Sequence, residues 1–242
     1  MTPVFLAALT LAAVASGATA AVVGFGIGSL LTPLLASRVG MPVAIAAIAL
    51  PHAAATAFRF WRLRDAVDWT VVRRFGLLSA AGGLVGALFY TRLGGRALTL
   101  SLAILLILTG VTGLTGIASR PTSPRLAGWL GAISGFFGGL AGNQGGLRSA
   151  ALLTFRLAPA TFVATATATA VLVDIARTPV YLWRAGAILL ELWVPLAFAT
   201  AGVLGGTLLG ERILVGMAPE RFRRVVSVAI LALGVFLLVR AA

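Results

Sequence analysis

Two long apolar stretches of this chain are each interrupted by a glycine-rich break. The first break spans residues 16–28 and reads SGATAAVVGFGIG, and the second, 118 positions later, spans 134–146 and reads SGFFGGLAGNQGG. Backbone that leaves the helix at membrane depth is tolerated only where protein buries it or where it lines a cavity. Glycine-interrupted hydrophobic segments at corresponding points of two halves are also the best sequence indication of a transporter's binding site. The breaks therefore predict an internal site built from non-helical backbone.

Composition places the chain in a membrane. Hydrophobic residues make up 60% of the 242 positions and charged residues only 10%, whereas a soluble domain has about 25% charged residues. A spanning helix needs roughly 20 apolar residues, and eight segments fit: 4–23, 41–58, 72–91, 97–118, 126–142, 160–182, 187–209 and 221–240. The connections are too short for a separate catalytic or nucleic-acid-binding domain. We expect an all-α integral membrane protein.

Landmarks recur in the same order in both halves, at offsets of 117–122 positions. Pro42 and Pro159 each begin a long apolar segment, and Trp-Arg pairs at 61–62 and 183–184 are expected to end it. The pattern predicts two homologous four-helix repeats, residues 1–120 and 121–242, joined by the proline-rich linker 120–125.

The first segment of each repeat is too long for one crossing. Residues 4–37 as a single helix would measure about 51 Å, against a hydrocarbon core of about 30 Å. The segment must bend at its glycines, and residues 126–157 pose the same problem. We expect one crossing plus a re-entrant half-helix in each repeat, giving eight crossings in all. Five crossings per repeat would make the repeats inverted instead of parallel, and the sequence leaves that choice open.

The net charge of +13 is explained by arginines in short loops, such as the cluster at 59, 62, 64, 73 and 74. Such clusters orient membrane proteins and contact anionic lipids, so no nucleic-acid partner is implied. The chain contains no cysteine, which excludes thiol chemistry. It also lacks paired carboxylates, a Ser/His/Asp set and His-rich metal spacing, so we expect neither an enzyme nor a cofactor.

The second break carries the polar groups of a candidate anion site. Free amides at a helix N-terminus bind anions, and an arginine one turn further adds a charge and a planar donor fork. The first break offers backbone amides and the hydroxyls of Ser29 and Thr32 but no charge. The predicted substrate-binding residues are Gly26, Gly28, Ser29, Asn143, Gln144, Gly145, Gly146, Arg148 and Ser149. In the competing interpretation Asn143 and Gln144 only cap the broken helix, Arg148 extends to the headgroups, and the first break serves only close helix packing.

Two further groups are candidates for coupling or for a polar pathway. Thr165 and Thr169, with Thr161, align on one face of the segment 160–182, although such hydroxyls commonly bond to their own helix. Asp174 and Arg177 are spaced to pair on a helix, either structurally or as a coupling carboxylate.

His52 is the only histidine of the chain. It could face the same central cavity as Thr169 and take part in proton linkage, or it could simply pack.

The chain resembles the TauE/SafE sulfite exporter family over nearly its whole length. The resemblance is carried by Gly24-Phe25-Gly26-Ile27-Gly28 with the following Pro33, and by the segment at 142–146. It implies a multi-pass permease of the bacterial inner membrane that moves small anions, often sulfur oxyanions or organosulfonates, usually outward. Ile27 and the Asn-Gln pair at 143–144 depart from the glycine runs of the family, which leaves a substrate other than sulfite open.

The leading hypothesis is a secondary transporter that exports a small anion by alternating access. A non-transporting membrane scaffold is the alternative, and the buried polar cluster argues against it. Besides the anion and membrane lipids, the sequence leaves open a coupling proton or sodium ion and a homodimer.

Overall fold

A computed structural model describes residues 1–93, 95–115, 124–142, 145–152, 155, 157–213, 224, 227–228, 231–232 and 234–239. All regular structure in these ranges is helical. The helices are α1 Pro3–Val23, α2 Ile27–Val39, α3 Met41–Leu63, α4 Trp69–Val71, α5 Leu77–Phe89, α6 Gly95–Thr115, α7 Pro124–Ala141, α8 Gly145–Leu152, α9 Pro159–Glu191 and α10 Trp193–Ile213. A 3-10 turn, Arg64–Ala66, follows α3, and a π-helical turn, Val72–Gly76, joins α4 to α5.

Six helices in the described part of the chain are long and apolar enough to cross a membrane, so the protein is a multi-pass membrane protein. They are Pro3–Ala21, Met41–Ala66, Trp69–Phe89, Gly95–Thr115, Ala160–Glu191 and Trp193–Gly210. Two shorter apolar helices, Ile27–Val39 and Gly128–Ala141, accompany them. The predicted last span, 221–240, lies partly outside the described residues, and the total of eight crossings stays a prediction.

The predicted boundary between the spans 160–182 and 187–209 is wrong. Helix α9 continues without interruption through Trp183 and Arg184 to Glu191 and has 33 residues. A single glycine at 186 costs a helix only about 1 kcal/mol, and the Arg184 guanidinium lies 4.7 Å from the centre of the exposed Trp183 ring. Neither feature requires the backbone to leave the helix, so the helix ends at Leu192 instead.

Both predicted glycine breaks are present. Helix α1 ends at Gly24 with φ 80, whose N–H donates to the Ala20 carbonyl, and α7 ends in the same way at Gly142 with φ 72. These left-handed conformations suit glycine because it lacks a Cβ. Helix α2, which passes through Pro33, has 13 residues and spans about 20 Å, and α8 is shorter still. Neither can cross the bilayer core alone.

The most extensive helix contacts are α1 with α10 and α5 with α7, while α3 and α9 pack against each other between these pairs. Both outer interfaces depend on glycine. A side chain on Gly206 would collide with the backbone of Val14, and one on Gly86 with the backbone of Phe136. Small residues let membrane helices approach closely, so these glycines allow the two helix pairs to pack at short distance.

Candidate functional site

The two breaks lie against each other inside the protein. A side chain on Gly28, at the start of α2, would collide with the carbonyl of Gly142 in the second break. Likewise, a side chain on Gly145, the first residue of α8, would collide with Phe25. The two short helices α2 and α8 therefore begin next to each other, which brings their free N-terminal amides to one place.

Arg148 connects the two breaks. Its side chain is 1% exposed, and Nη2 donates to the carbonyl oxygen of Gly24 at 3.1 Å. The other two donor nitrogens, Nε and Nη1, are buried and find no hydrogen-bond partner within the described residues. The guanidinium therefore does not extend to the headgroups. A buried charged donor left without a partner is costly, so this group is suited to bind a ligand.

Buried hydroxyls occur in the same region. Ser29 and Thr32 of α2 are fully buried, and the described residues provide no partner for either hydroxyl oxygen. The Thr32 oxygen lies 3.7 Å from the position that a Cβ on Gly142 would take, so it faces the second break. The Ser149 hydroxyl next to Arg148 is also without a partner in the described part of the chain.

The remaining predicted substrate residues are glycines or lie outside the described residues. Gly26 is the N-cap of α2 with φ 134, and Gly146 is the second residue of α8. Asn143 and Gln144 lie outside the described residues, and their role stays a prediction.

A second polar cluster joins α3 to α9 around the carboxylate of Asp174. One carboxylate oxygen accepts from His52 Nδ1 at 2.8 Å and from the Thr56 hydroxyl at 2.7 Å. The other accepts from Arg177 Nε at 3.0 Å and lies 2.8 Å from its Nη2. The ion pair predicted from the spacing of Asp174 and Arg177 is therefore present, and both side chains are buried.

The arginine of this cluster is also attached to the second break. Arg177 Nη1 donates to the Gly138 carbonyl, and the Tyr181 hydroxyl donates to the carbonyl of Gly139. The Gly138 carbonyl also accepts the N–H of Gly142. The guanidinium thus lies at the C-terminal end of α7, where the helix dipole favours a cation.

The same contact recurs in the first half. Arg59 Nη1 donates to the Ala20 carbonyl at the end of α1, and that carbonyl also accepts the N–H of Gly24. Ala20, Gly24 and Arg59 stand 118 positions before Gly138, Gly142 and Arg177, respectively. Each break therefore has one arginine at the carbonyl end of the helix that precedes it.

Assigning Arg59 to a lipid-facing loop is wrong. Helix α3 extends to Leu63, beyond the predicted end of the span at 58, so Arg59 lies inside the helix and is 4% exposed. Arg62, Arg64, Arg73 and Arg74 are exposed, as expected of loop anchors.

The predicted threonine face of α9 lies against the segment between α3 and α5. The Thr165 hydroxyl accepts the backbone N–H of Asp68 at 3.0 Å, and the Thr169 hydroxyl oxygen lies 3.3 Å from the Cβ position of Gly76. Both therefore face the connection between α3 and α5. Thr167 bonds the carbonyl four residues earlier in its own helix. A pathway role for Thr165 and Thr169 stays a prediction.

Sequence reasoning missed three members of the clusters: Thr56, Arg59 and Tyr181. Thr56 and Arg59 follow His52 at i+4 and i+7, which places all three on one face of α3. Tyr181 follows Arg177 by four residues on α9. Helical periodicity from His52 and Arg177 could have identified them.

Helices that cross the membrane, two broken helices that meet and a buried arginine between them define a multi-pass membrane protein with an internal polar site. The sequence model of the family "Sulfite exporter TauE/SafE" matches residues 9–237. The chain therefore belongs to the TauE/SafE family, a family of membrane transporters. Searches of curated proteins and of solved structures found no match.

Proposed function

We propose that this protein is a bacterial inner-membrane permease that exports sulfite, or another small sulfur oxyanion or organosulfonate, by alternating access. Membership of a sulfite exporter family supports the substrate class. No observation favours the alternative of a non-transporting scaffold.

The observation that carries the proposal is that two buried donor nitrogens of Arg148 lack a hydrogen-bond partner. Its Nε and Nη1 are buried without a partner among the described residues, at the point where α2 and α8 begin. Planar guanidinium donors match the oxygen spacing of an oxyanion. Nε and Nη1 lie on different edges of the planar group, so a small anion could accept from one of them, together with N-terminal amides of the two half-helices.

The charge of the interior supports a negatively charged ligand. The buried charged side chains of the described residues are Arg59, Arg148, Arg177 and Asp174. Three cations against one carboxylate leave the interior net positive. Uncompensated charge away from water is costly, and an anion between the breaks would offset that cost.

The binding site is closed in this structure, because Arg148, Ser29 and Thr32 are all at most 1% exposed. Alternating access therefore requires the helices around the breaks to move apart, so that the site opens to one side of the membrane at a time. The matched arginine contacts at Ala20 and Gly138 support two repeats, 1–120 and 121–242, moving against each other. In transporters built from repeats the site lies where the repeats meet.

Efflux of sulfite from proteoliposomes tests the proposal. We expect Arg148→Gln to reduce the rate about 10- to 100-fold, which corresponds to the loss of hydrogen bonds to a charged group. Arg184→Gln is the matched control, because it removes an arginine that lies over the exposed ring of Trp183. Its efflux should equal that of the wild type. Each variant is first checked for a monodisperse peak in size-exclusion chromatography.

Equal efflux from wild type and Arg148→Gln would contradict the anion role of Arg148. No efflux of sulfite, thiosulfate or an alkanesulfonate by the wild type would favour the scaffold alternative.

A further inference from the structure

We propose that His52, held by Asp174, is a proton-binding site whose occupancy strengthens anion binding at the breaks. The inference rests on the proposed anion site and adds the identity of the coupling ion and the residue that carries it.

The geometry fixes where the proton binds. Asp174 is ion-paired to Arg177 through one oxygen, and its other oxygen accepts from His52 Nδ1 and from the Thr56 hydroxyl. A carboxylate can only accept hydrogen bonds, so Nδ1 must carry a hydrogen. The neutral ring therefore has Nε2 as its free basic nitrogen. Arg177 Nη2, 3.5 Å from Nδ1, is then a neighbour of the ring and not its donor.

A proton fits the described part of the protein better than a sodium ion. In transporters with broken helices, carbonyls at half-helix C-termini coordinate Na⁺. Here the corresponding carbonyls of Ala20 and Gly138 already accept from Arg59 and Arg177. A guanidinium thus occupies the cation position at each break. Histidine is the side chain whose ordinary pKa is nearest to neutral pH, and the side chain of His52 is 13% exposed, so protons can reach it.

The charged groups around His52 make its protonation sensitive to the anion. Asp174 and Arg177 face it from α9, and the charge on Arg148 in α8 also acts on it. Arg59 lies two turns further along α3. Charged side chains described on the other helices packed against α3 are exposed, namely Arg38 on α2, Arg96 on α6 and Arg212 on α10.

The sign of the coupling follows from these charges. A proton on Nε2 adds a positive charge that Asp174 attracts and that Arg177 and Arg148 repel. An anion beside Arg148 reduces this repulsion and so raises the affinity of His52 for a proton. By reciprocity, the protonated ring raises the affinity of the site for the anion by the same factor. The anion and the proton are therefore expected to bind together.

A contact also leads from His52 to the breaks. Asp174 fixes Arg177, and Arg177 holds the Gly138 carbonyl that accepts from Gly142. Protonation of His52 changes the charge balance around this arginine. His52 is thus three contacts from the backbone that would have to move during transport.

The test compares sulfite affinity of wild type and His52→Gln in detergent, from pH 8 to pH 5.5, in buffers free of sulfonate groups. Where both proteins bind the same ionic form of sulfite, ionisation of sulfite cancels from the ratio of the two Kd values, and the ratio reports only the protein. Glutamine can donate to Asp174 but cannot take a proton in this range. We expect a ratio near one at pH 8 that rises about 5- to 150-fold in favour of the wild type at pH 5.5.

Thr167→Val is the second variant, because it removes a buried hydroxyl of α9 that bonds the Val163 carbonyl and is no part of the cluster. It should keep the pH dependence of the wild type. A Kd ratio for His52→Gln that stays constant with pH would overturn the inference while leaving the anion site intact. So would a Thr167→Val protein that loses the pH dependence, since a structural disturbance away from the cluster would then have the same effect as His52→Gln. Absence of sulfite binding to the wild type would instead refute the proposed function, and this inference with it.

Discussion

Removing the charge of Asp174 should destabilise the protein strongly. Asp174→Asn keeps the shape of the side chain but leaves Arg177, 1% exposed, without its carboxylate. It also places an amide where His52 Nδ1, the Thr56 hydroxyl and two guanidinium nitrogens now donate. Breaking a buried ion pair by removing one partner costs about 3–5 kcal/mol.

The loss can be measured by heating the protein in detergent and recording the monomer peak in fluorescence-detected size-exclusion chromatography. One kcal/mol shifts the midpoint by about 2–4 °C for a chain of this size, so we expect a decrease of about 6–20 °C. Asp65→Asn is the matched control. The Asp65 side chain is 98% exposed and lies 3.9 Å from Arg64, and exposed pairs contribute about 0–1 kcal/mol.

A midpoint for Asp174→Asn equal to that of Asp65→Asn would refute the buried ion pair. The double variant Asp174→Leu with Arg177→Met provides a second check. Replacing both charges by apolar groups avoids an unpaired buried charge, so this variant should melt well above Asp174→Asn.

Two further stability predictions use neighbouring or equivalent residues as controls. Gly206→Ala should lower the melting midpoint, because overpacking against the Val14 backbone costs about 1–3 kcal/mol. A side chain at Gly205 would have no atom within 4 Å, so the control Gly205→Ala should be neutral or slightly stabilising. Equal midpoints for the two variants would contradict the α1–α10 packing. Arg59→Gln should lower the free energy of unfolding by about 1.5–3 kcal/mol, because it removes the hydrogen bond to the carbonyl end of α1. The control Arg64→Gln replaces a side chain that is 59% exposed and should change that free energy by no more than about 0.5 kcal/mol. The reverse order would show that Arg59 is a lipid anchor.

The sequence was most informative where backbone chemistry decides the structure. Glycines at 24 and 142 are required where the chain adopts φ near 80 and 72, and the apolar stretches around them are too long for one crossing. Both breaks could therefore be predicted. The i, i+3 spacing of Asp174 and Arg177 likewise predicted a local pair that depends only on helix geometry.

Contacts between distant segments could not be predicted in the same way. His52 and Thr56 meet Asp174 across 122 and 118 positions, and no local pattern specifies such a pairing. Arg59 was placed in a loop because exposed arginines follow it closely. The end of α9 was placed too early because a Trp-Arg pair resembles an interfacial anchor, although here the pair lies on the exposed face of a helix that continues.

The location of the bound anion tests the central claim most directly. Selenite has the shape and charge of sulfite, and its selenium can be located by anomalous scattering in crystals of the protein. The account predicts a selenium peak about 4 Å from the Arg148 guanidinium carbon, between the first turns of α2 and α8. A selenium site elsewhere, with Nε and Nη1 of Arg148 bonded to protein groups, would contradict it.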